Sequence, residues 1–186
     1  PPGGEKRWVG MKNHSHELYN AGHLYEAGAA HYLATGKRSL LDVALKNADL
    51  VCATFGPGGR GEVPDHQEIE IGLCKLYRVT GYERYLRTAK HFLDERGNAK
   101  GHELLGEYAQ DHLPVREQNV AVGHAVRAAY MFAGMADVAA LSGDTSYVAT
   151  LDLLWKDVVG SQLYVTGGIG ATGNIEGFGN PYALPN

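Results

Sequence analysis

One joint occurs three times along the chain and constrains the fold more than any other feature. Thr35-Gly36, Thr80-Gly81 and Ser142-Gly143 each close a stretch of 3.6-residue apolar periodicity, and a second such stretch follows each of them. Glycine in that place can take the left-handed conformation that ends a helix. The second stretches also match one another. Leu40-Leu41, Tyr85-Leu86 and Tyr147-Val148 stand at like offsets from the joint, followed by Ala44, Ala89 and Leu151. The pattern predicts an all-α chain of six helices, near 16–34, 38–54, 66–80, 82–96, 118–141 and 145–160, paired into three hairpins. Successive joint glycines lie 45 and 62 residues apart. A stacked solenoid keeps one period, so variable loops on a closed ring of hairpins fit better.

Residue size assigns the layers. The first helix of each pair is rich in small residues, such as Ala21, Gly22, Gly28, Gly72, Ala133 and Gly134, which let helices approach closely as an inner ring must. The second helices carry more charge, with Arg38, Lys46, Arg84 and Arg87 among them, and suit an outer layer. Joints within a hairpin are about three residues long. The connections between hairpins, near 55–65, 97–117 and 161–186, are long and rich in Gly and Pro. Hairpins alternate direction, so all the long loops gather at one rim, where binding and catalysis concentrate on rigid scaffolds.

Each inner helix has a histidine at or near its start: His16, His66 and His124. Helices of one direction bring these imidazoles to the long-loop rim, where they form either a shared polar pocket or three separate caps. His16-Glu17 begins a zinc-like His-Glu-x-x-His string but has Asn20 where the second histidine belongs. His23 follows on the same face. His66-Gln67-Glu68-Ile69-Glu70 reads equally as a helix start with acidic residues near the positive end of the dipole. The loop Tyr108 to Gln118, which holds Asp111, His112, Arg116 and Glu117, either orients a substrate or braces the fifth helix through ion pairs.

Gly168-Ile169-Gly170-Ala171-Thr172-Gly173 formally matches a dinucleotide fingerprint, but Asn174 to Pro181 is hostile to the helix that must follow. No Gly-Lys-Ser/Thr exists for a P-loop. That loop contains one carboxylate, Glu176, among glycines and Phe178. Apolar surroundings raise a carboxyl pKa towards neutrality, which suits a general acid for a glycosidic oxygen. The alternative is an exposed loop glutamate.

Composition narrows the partners. With 17 basic and 21 acidic residues, a net charge of -4 and no basic run, the chain suits neither nucleic acid nor an anionic membrane. No apolar stretch approaches the roughly 18 residues of a membrane span. No signal-like segment opens the chain, which points to the cytoplasm, although it begins Pro1-Pro2-Gly3-Gly4 and its natural start is expected upstream. Cys52 and Cys74 sit in apolar helical contexts and read as reduced, buried thiols. Self-association into a homo-oligomer is compatible with all of this.

Five strings occur in order: His16 to His23, His66 to Glu70, Tyr108 to Gln118, Gly123-His124-Ala125-Val126-Arg127, and Thr166-Gly167-Gly168-Ile169-Gly170. Together they resemble glycoside hydrolase family 127, typified by bacterial β-L-arabinofuranosidases, over nearly the whole chain. The resemblance implies an (α/α)6 barrel, with residues 1–186 forming about half of it and further helices on either side. It implies a retaining hydrolase acting on terminal β-L-arabinofuranose or a similar sugar, with Glu176 as general acid/base. His66 and His124 are then sugar contacts, with His16 as the third in preference to His23, and His112 is a secondary candidate.

The family's nucleophile is a zinc-bound cysteine thiolate, and the Glu and cysteines of that centre fall beyond Asn186. No metal ligand is therefore expected within these residues, Cys52 and Cys74 lying in the wrong helices, and the 186 residues alone are expected to be inactive. Asp65 stands where the family pattern has a glycine. A sugar epimerase or isomerase on a similar ring, and a non-catalytic helical interaction module, are the competing readings.

Overall fold

The three joints share one construction. Gly36, Gly81 and Gly143 take φ values of 69°, 71° and 74°, and their N–H groups donate back to the carbonyls of Tyr32, Tyr77 and Ala139. The hydroxyl residue before each glycine also acts twice. Thr35, Thr80 and Ser142 each donate to the carbonyl four residues back and accept the N–H two residues ahead. A Thr-Gly or Ser-Gly pair thus satisfies groups that a helix end leaves open.

The computed structural model describes residues 7–8, 15–100 and 102–185. Within them lie α1 (Glu17–Thr35), α2 (Ser39–Phe55), α3 (Ile69–Thr80), α4 (Glu83–Glu95), α5 (Ala125–Ser142) and α6 (Ser146–Asp157). A π-helical turn, Val158–Gln162, prolongs α6. All six predicted helices are present, but two begin later than their periodicity suggests. α3 starts at Ile69 rather than near 66, because Glu68 holds φ at 156° and breaks the run. α5 starts at Ala125 rather than near 118. Gln118 is drawn away to donate to the carbonyls of Gln110 and Leu113, and Gly123 is in the left-handed region at φ 70°.

The first helices of the hairpins lie side by side, α3 between α1 and α5, with α2, α4 and α6 behind their partners. Leu18, Tyr25, Leu41, Val51, Phe55, Ile69, Leu73, Phe92, Met131 and Val138 fill the space between the layers. Buried tyrosine hydroxyls find partners, as polar groups in such a core must. Tyr25 donates to Asn47, Tyr85 to Asp49, and Tyr147 to Asp94. The small residues explain the closeness of α1 and α3. A Cβ on Gly72 would stand 2.6 Å from the Gly22 carbonyl oxygen, so the helices meet backbone to backbone.

The flank of α5 and α6 is less covered. Val126, Val148, Leu153 and Val159 are exposed there, and Trp155 is 70% exposed. No helix among the described residues is long and apolar enough to cross a membrane.

Candidate active site

The starts of α1, α3 and α5 share a rim, and the structure brings their histidines together. The His16 and His66 rings lie 5.5 Å apart between centroids, and those of His66 and His124 lie 5.8 Å apart. Glu176 reaches the same place from the last loop, with Oε2 3.2 Å from His124 Nε2. His23 joins from about two turns further along α1. Its ring packs 4.5 Å from that of Tyr19, which itself lies 4.5 Å from His66. Among the described residues, His112 makes no ring or ion-pair contact with this group, and its Nδ1 is buried without a partner.

Each imidazole is held by its own neighbourhood. His16 precedes α1 in the left-handed region, and its N–H donates to Asp65 Oδ2 at 3.3 Å. Asp65, in the place of the expected glycine, thereby ties α1 to the loop before α3. His66 is buried, and its Nδ1 lies 2.7 Å from the Gln67 carbonyl. A carbonyl only accepts, so Nδ1 carries the proton and Nε2 is the acceptor. Burial, opposed by that hydrogen bond, pushes the His66 pKa down to about 4, and its ring is neutral near pH 7.

His124 is the N-cap of α5. Its Nδ1 accepts from Arg127 N–H at 3.3 Å, which leaves the proton on Nε2, facing Glu176. Burial and the Arg127 charge lower its pKa, while Glu176 works the other way. The rim thus offers one imidazole that accepts and one that donates, the pair a sugar hydroxyl can satisfy.

Behind the histidines is a scaffold of amide and guanidinium groups. Gln67 donates to the Ala109 carbonyl and to Gln110 Oε1, and Gln110 donates in turn to the carbonyls of Val122 and His124. Arg127 donates to the Asp65 carbonyl and lies over the Tyr108 ring at 4.8 Å. The Tyr108–Gln118 loop braces the fold and also reaches the histidines, its Tyr108 ring lying 5.6 Å from that of His124. Its Arg116 pairs with Asp94 and Asp144.

Glu176 is held differently. Its backbone is left-handed at φ 50°, its carbonyl accepts from Ala125 N–H, and the next two residues pair with Thr172 and with the Gly123 carbonyl. Gly177 is required for that approach, since a Cβ there would stand 2.5 Å from the Gly123 oxygen. The apolar enclosure expected of Phe178 is not what these residues provide. Phe178 turns inward onto Ala121, Ala125 and Ala128, and the Glu176 side chain is 77% exposed.

Two tyrosines were not singled out by the sequence. Tyr19 stands among His16, His23, His66 and Tyr130, and the Tyr130 pKa is pushed up to about 12, chiefly by burial. Tyr19 lies three residues after His16 on one helix face, the one signal that could have found it. His23, Glu26 and Glu68 also come together, with one potential ligand atom of each within 4.8 Å of the others, although no ligand set was expected in this chain. The cysteines do not fit a zinc centre. Cys52 and Cys74 lie on α2 and α3, and burial raises both thiols, Cys52 to about 11, away from the thiolate a metal needs.

Comparison with known proteins places this geometry. A family profile described as "Beta-L-arabinofuranosidase, GH127 catalytic domain" matches residues 1–186. A non-reducing end β-L-arabinofuranosidase of Bifidobacterium longum subsp. longum is 39% identical over 192 aligned positions, covering 92% of this chain and 29% of that protein. A solved GH127 β-arabinofuranosidase superposes with a TM-score of 0.91 at 52% identity, over 98% of this chain and 29% of the other. A GH127 β-L-arabinofuranosidase from Geobacillus stearothermophilus T6 gives 0.91 at 43%, over 100% of this chain and 32% of the other. The chain therefore spans about a third or less of the length of these relatives.

Proposed function

Because the chain belongs to the GH127 catalytic-domain family of β-L-arabinofuranosidases, we propose that it forms one side of the active site of a retaining exo-glycosidase. The substrate in this reading is a terminal β-L-arabinofuranose or a closely similar sugar. The observation that carries it is the convergence of three neighbouring imidazoles with one carboxyl group, Glu176 lying 3.2 Å from His124.

His16, His66 and His124 bind the hydroxyls of one pentose. Glu176, protonated, gives its proton to the glycosidic oxygen as the bond to the anomeric carbon breaks. The sugar passes to a nucleophile supplied outside these residues. The Glu176 carboxylate then takes a proton from water, whose oxygen joins the anomeric carbon as the bond to the nucleophile breaks, and the free sugar and the nucleophile's anion are released. In this reading the remainder of an (α/α)6 ring closes the site over the exposed Glu176 and supplies the nucleophile and the zinc centre. Two unpaired thiols are in keeping with a cytoplasmic enzyme. The relatives named above are glycosidases, which favours a hydrolase over a non-catalytic interaction module.

The test is turnover of an aryl β-L-arabinofuranoside by the complete gene product, with Glu176→Gln beside the wild type. A loss of roughly 100-fold or more is expected for removal of a general acid. Undiminished turnover removes Glu176 from the mechanism. A product that retains the glycosidic bond instead indicates an isomerase.

A further inference from the structure

Below the histidines, the wall between α1 and α3 holds a group of side chains that the glycosidase reading does not use. His23 and Glu26, three residues apart on α1, face the same way. Glu68 meets them from the start of α3. His23 Nδ1 lies 3.4 Å from Glu68 Oε1 and 3.7 Å from Glu26 Oε2. Glu68 is 0% exposed, and neither of its carboxylate oxygens has a hydrogen-bond donor. The fold is shaped around this carboxylate. Its backbone holds φ at 156°, a conformation that side-chain-bearing residues avoid. A Cβ on Gly22 would come within 1.5 Å of Oε2, so α1 must carry a glycine there.

We propose that His23, Glu26 and Glu68 bind one divalent transition-metal ion, which clamps α1 to the start of α3 beneath the sugar pocket. The inference stands whether or not the glycosidase reading does. An ion about 2.1 Å from each of its ligand atoms in tetrahedral geometry sets those atoms about 3.4 Å apart, close to the distances found. They are too long for a charge-assisted hydrogen bond, which runs near 2.8 Å. One nitrogen with two carboxylate oxygens is a donor set for zinc, manganese or cobalt rather than for calcium, which takes more oxygens.

Charge points the same way. Lys75 Nζ pairs with the other Glu26 oxygen at 3.1 Å, so the partner that faces Glu68 is His23, a cation only when protonated. A buried carboxylate so partnered is costly and takes up either a metal or a proton. Entry is open, since the His23 side chain is 40% exposed. The Tyr19 and Tyr130 rings, 4.5 Å and 5.8 Å from that of His23, separate the ion from the sugar histidines, so its role is to hold the wall in place.

The test uses purified protein stripped with a chelator and titrated with Zn2+ and with Co2+, followed by calorimetry and visible absorption. One equivalent is expected, with a Co2+ spectrum free of thiolate charge transfer, which separates it from any cysteine-bound ion in the complete enzyme. His23→Ala, at a half-exposed position where folding is not at stake, and Glu26→Gln each weaken binding at least roughly tenfold, and Glu68→Gln abolishes it. At a hundredfold excess of Zn2+ over Kd, the midpoint of thermal unfolding rises by about 5 °C in the wild type and not in the variants. Absence of uptake, equal affinity in the variants, or a thiolate band as the only signal overturns the proposal. So does an infrared carboxyl band, lost in Glu68→Gln, that persists at saturating metal, because Glu68 then holds a proton instead.

Discussion

The wall that carries the three histidines and the arm that carries Glu176 meet at one pocket but are built in opposite ways. The wall is crossed backbone to backbone at Gly22 and Gly72, and its polar side chains are buried and interlocked through Gln67, Gln110 and Arg127. The arm is a glycine-rich loop with one buried aromatic anchor, Phe178, and a few backbone hydrogen bonds beside the start of α5. Sugar-binding groups gain from fixed positions, because pre-organisation lowers the cost of binding. A general acid/base must serve two steps and meet both an aglycone and water. A lightly packed arm is suited to that.

The contrast breaks first at the glycines. Gly72→Ala forces a Cβ against the Gly22 carbonyl, and a loss of about 3 kcal/mol or more is expected in a denaturant melt. Gly173→Ala, on the arm and in open space, is expected to stay within about 0.5 kcal/mol of the wild type. Equal costs would mean that wall and arm are packed alike.

Removing the anchor sharpens the comparison. Phe178→Ala gives up about 2 kcal/mol of buried aromatic surface. In the complete enzyme it should lower kcat while leaving KM little changed, since it displaces Glu176 and not the histidines. A change confined to KM would show that the arm binds sugar rather than acting on it.

The next effect is electrostatic. The folded-state pKa of His124 lies below its unfolded value, so the unfolded chain binds the proton first as pH falls. Its contribution to stability is present above the ordinary histidine range and is lost on acidification. An acid unfolding series should therefore be flatter for His124→Gln. The smallest effect belongs to its neighbours. By NMR titration, Glu176→Gln should move the His124 pKa down and Arg127→Met should move it up. No shift with Glu176→Gln would separate arm from wall.

The sequence revealed what is local or periodic. The Thr-Gly and Ser-Gly joints fix three hairpins, and the common direction of α1, α3 and α5 places His16, His66 and His124 at one rim before any coordinate is known. What it concealed is non-local. The late starts of α3 and α5 depend on the backbone of Glu68 and on Gln118 being drawn towards Gln110, whose side chain also joins loops far apart in sequence. The His23–Glu26 spacing was visible, but Glu68 joins it only when α1 meets α3. Phe178 misled because an aromatic beside a carboxylate in sequence can point away from it in space. Asp65, in the place of a glycine, proved to be a strut for His16.

The central claim is that wall and arm address one sugar from two sides. A crystal structure of the complete enzyme with a bound, unhydrolysed β-L-arabinofuranoside tests it most directly. The account predicts sugar hydroxyls within hydrogen-bond distance of His16, His66 and His124, and the glycosidic oxygen about 3 Å from a Glu176 carboxyl oxygen. A sugar bound away from the three imidazoles, or one whose glycosidic oxygen faces a different acid, would contradict it.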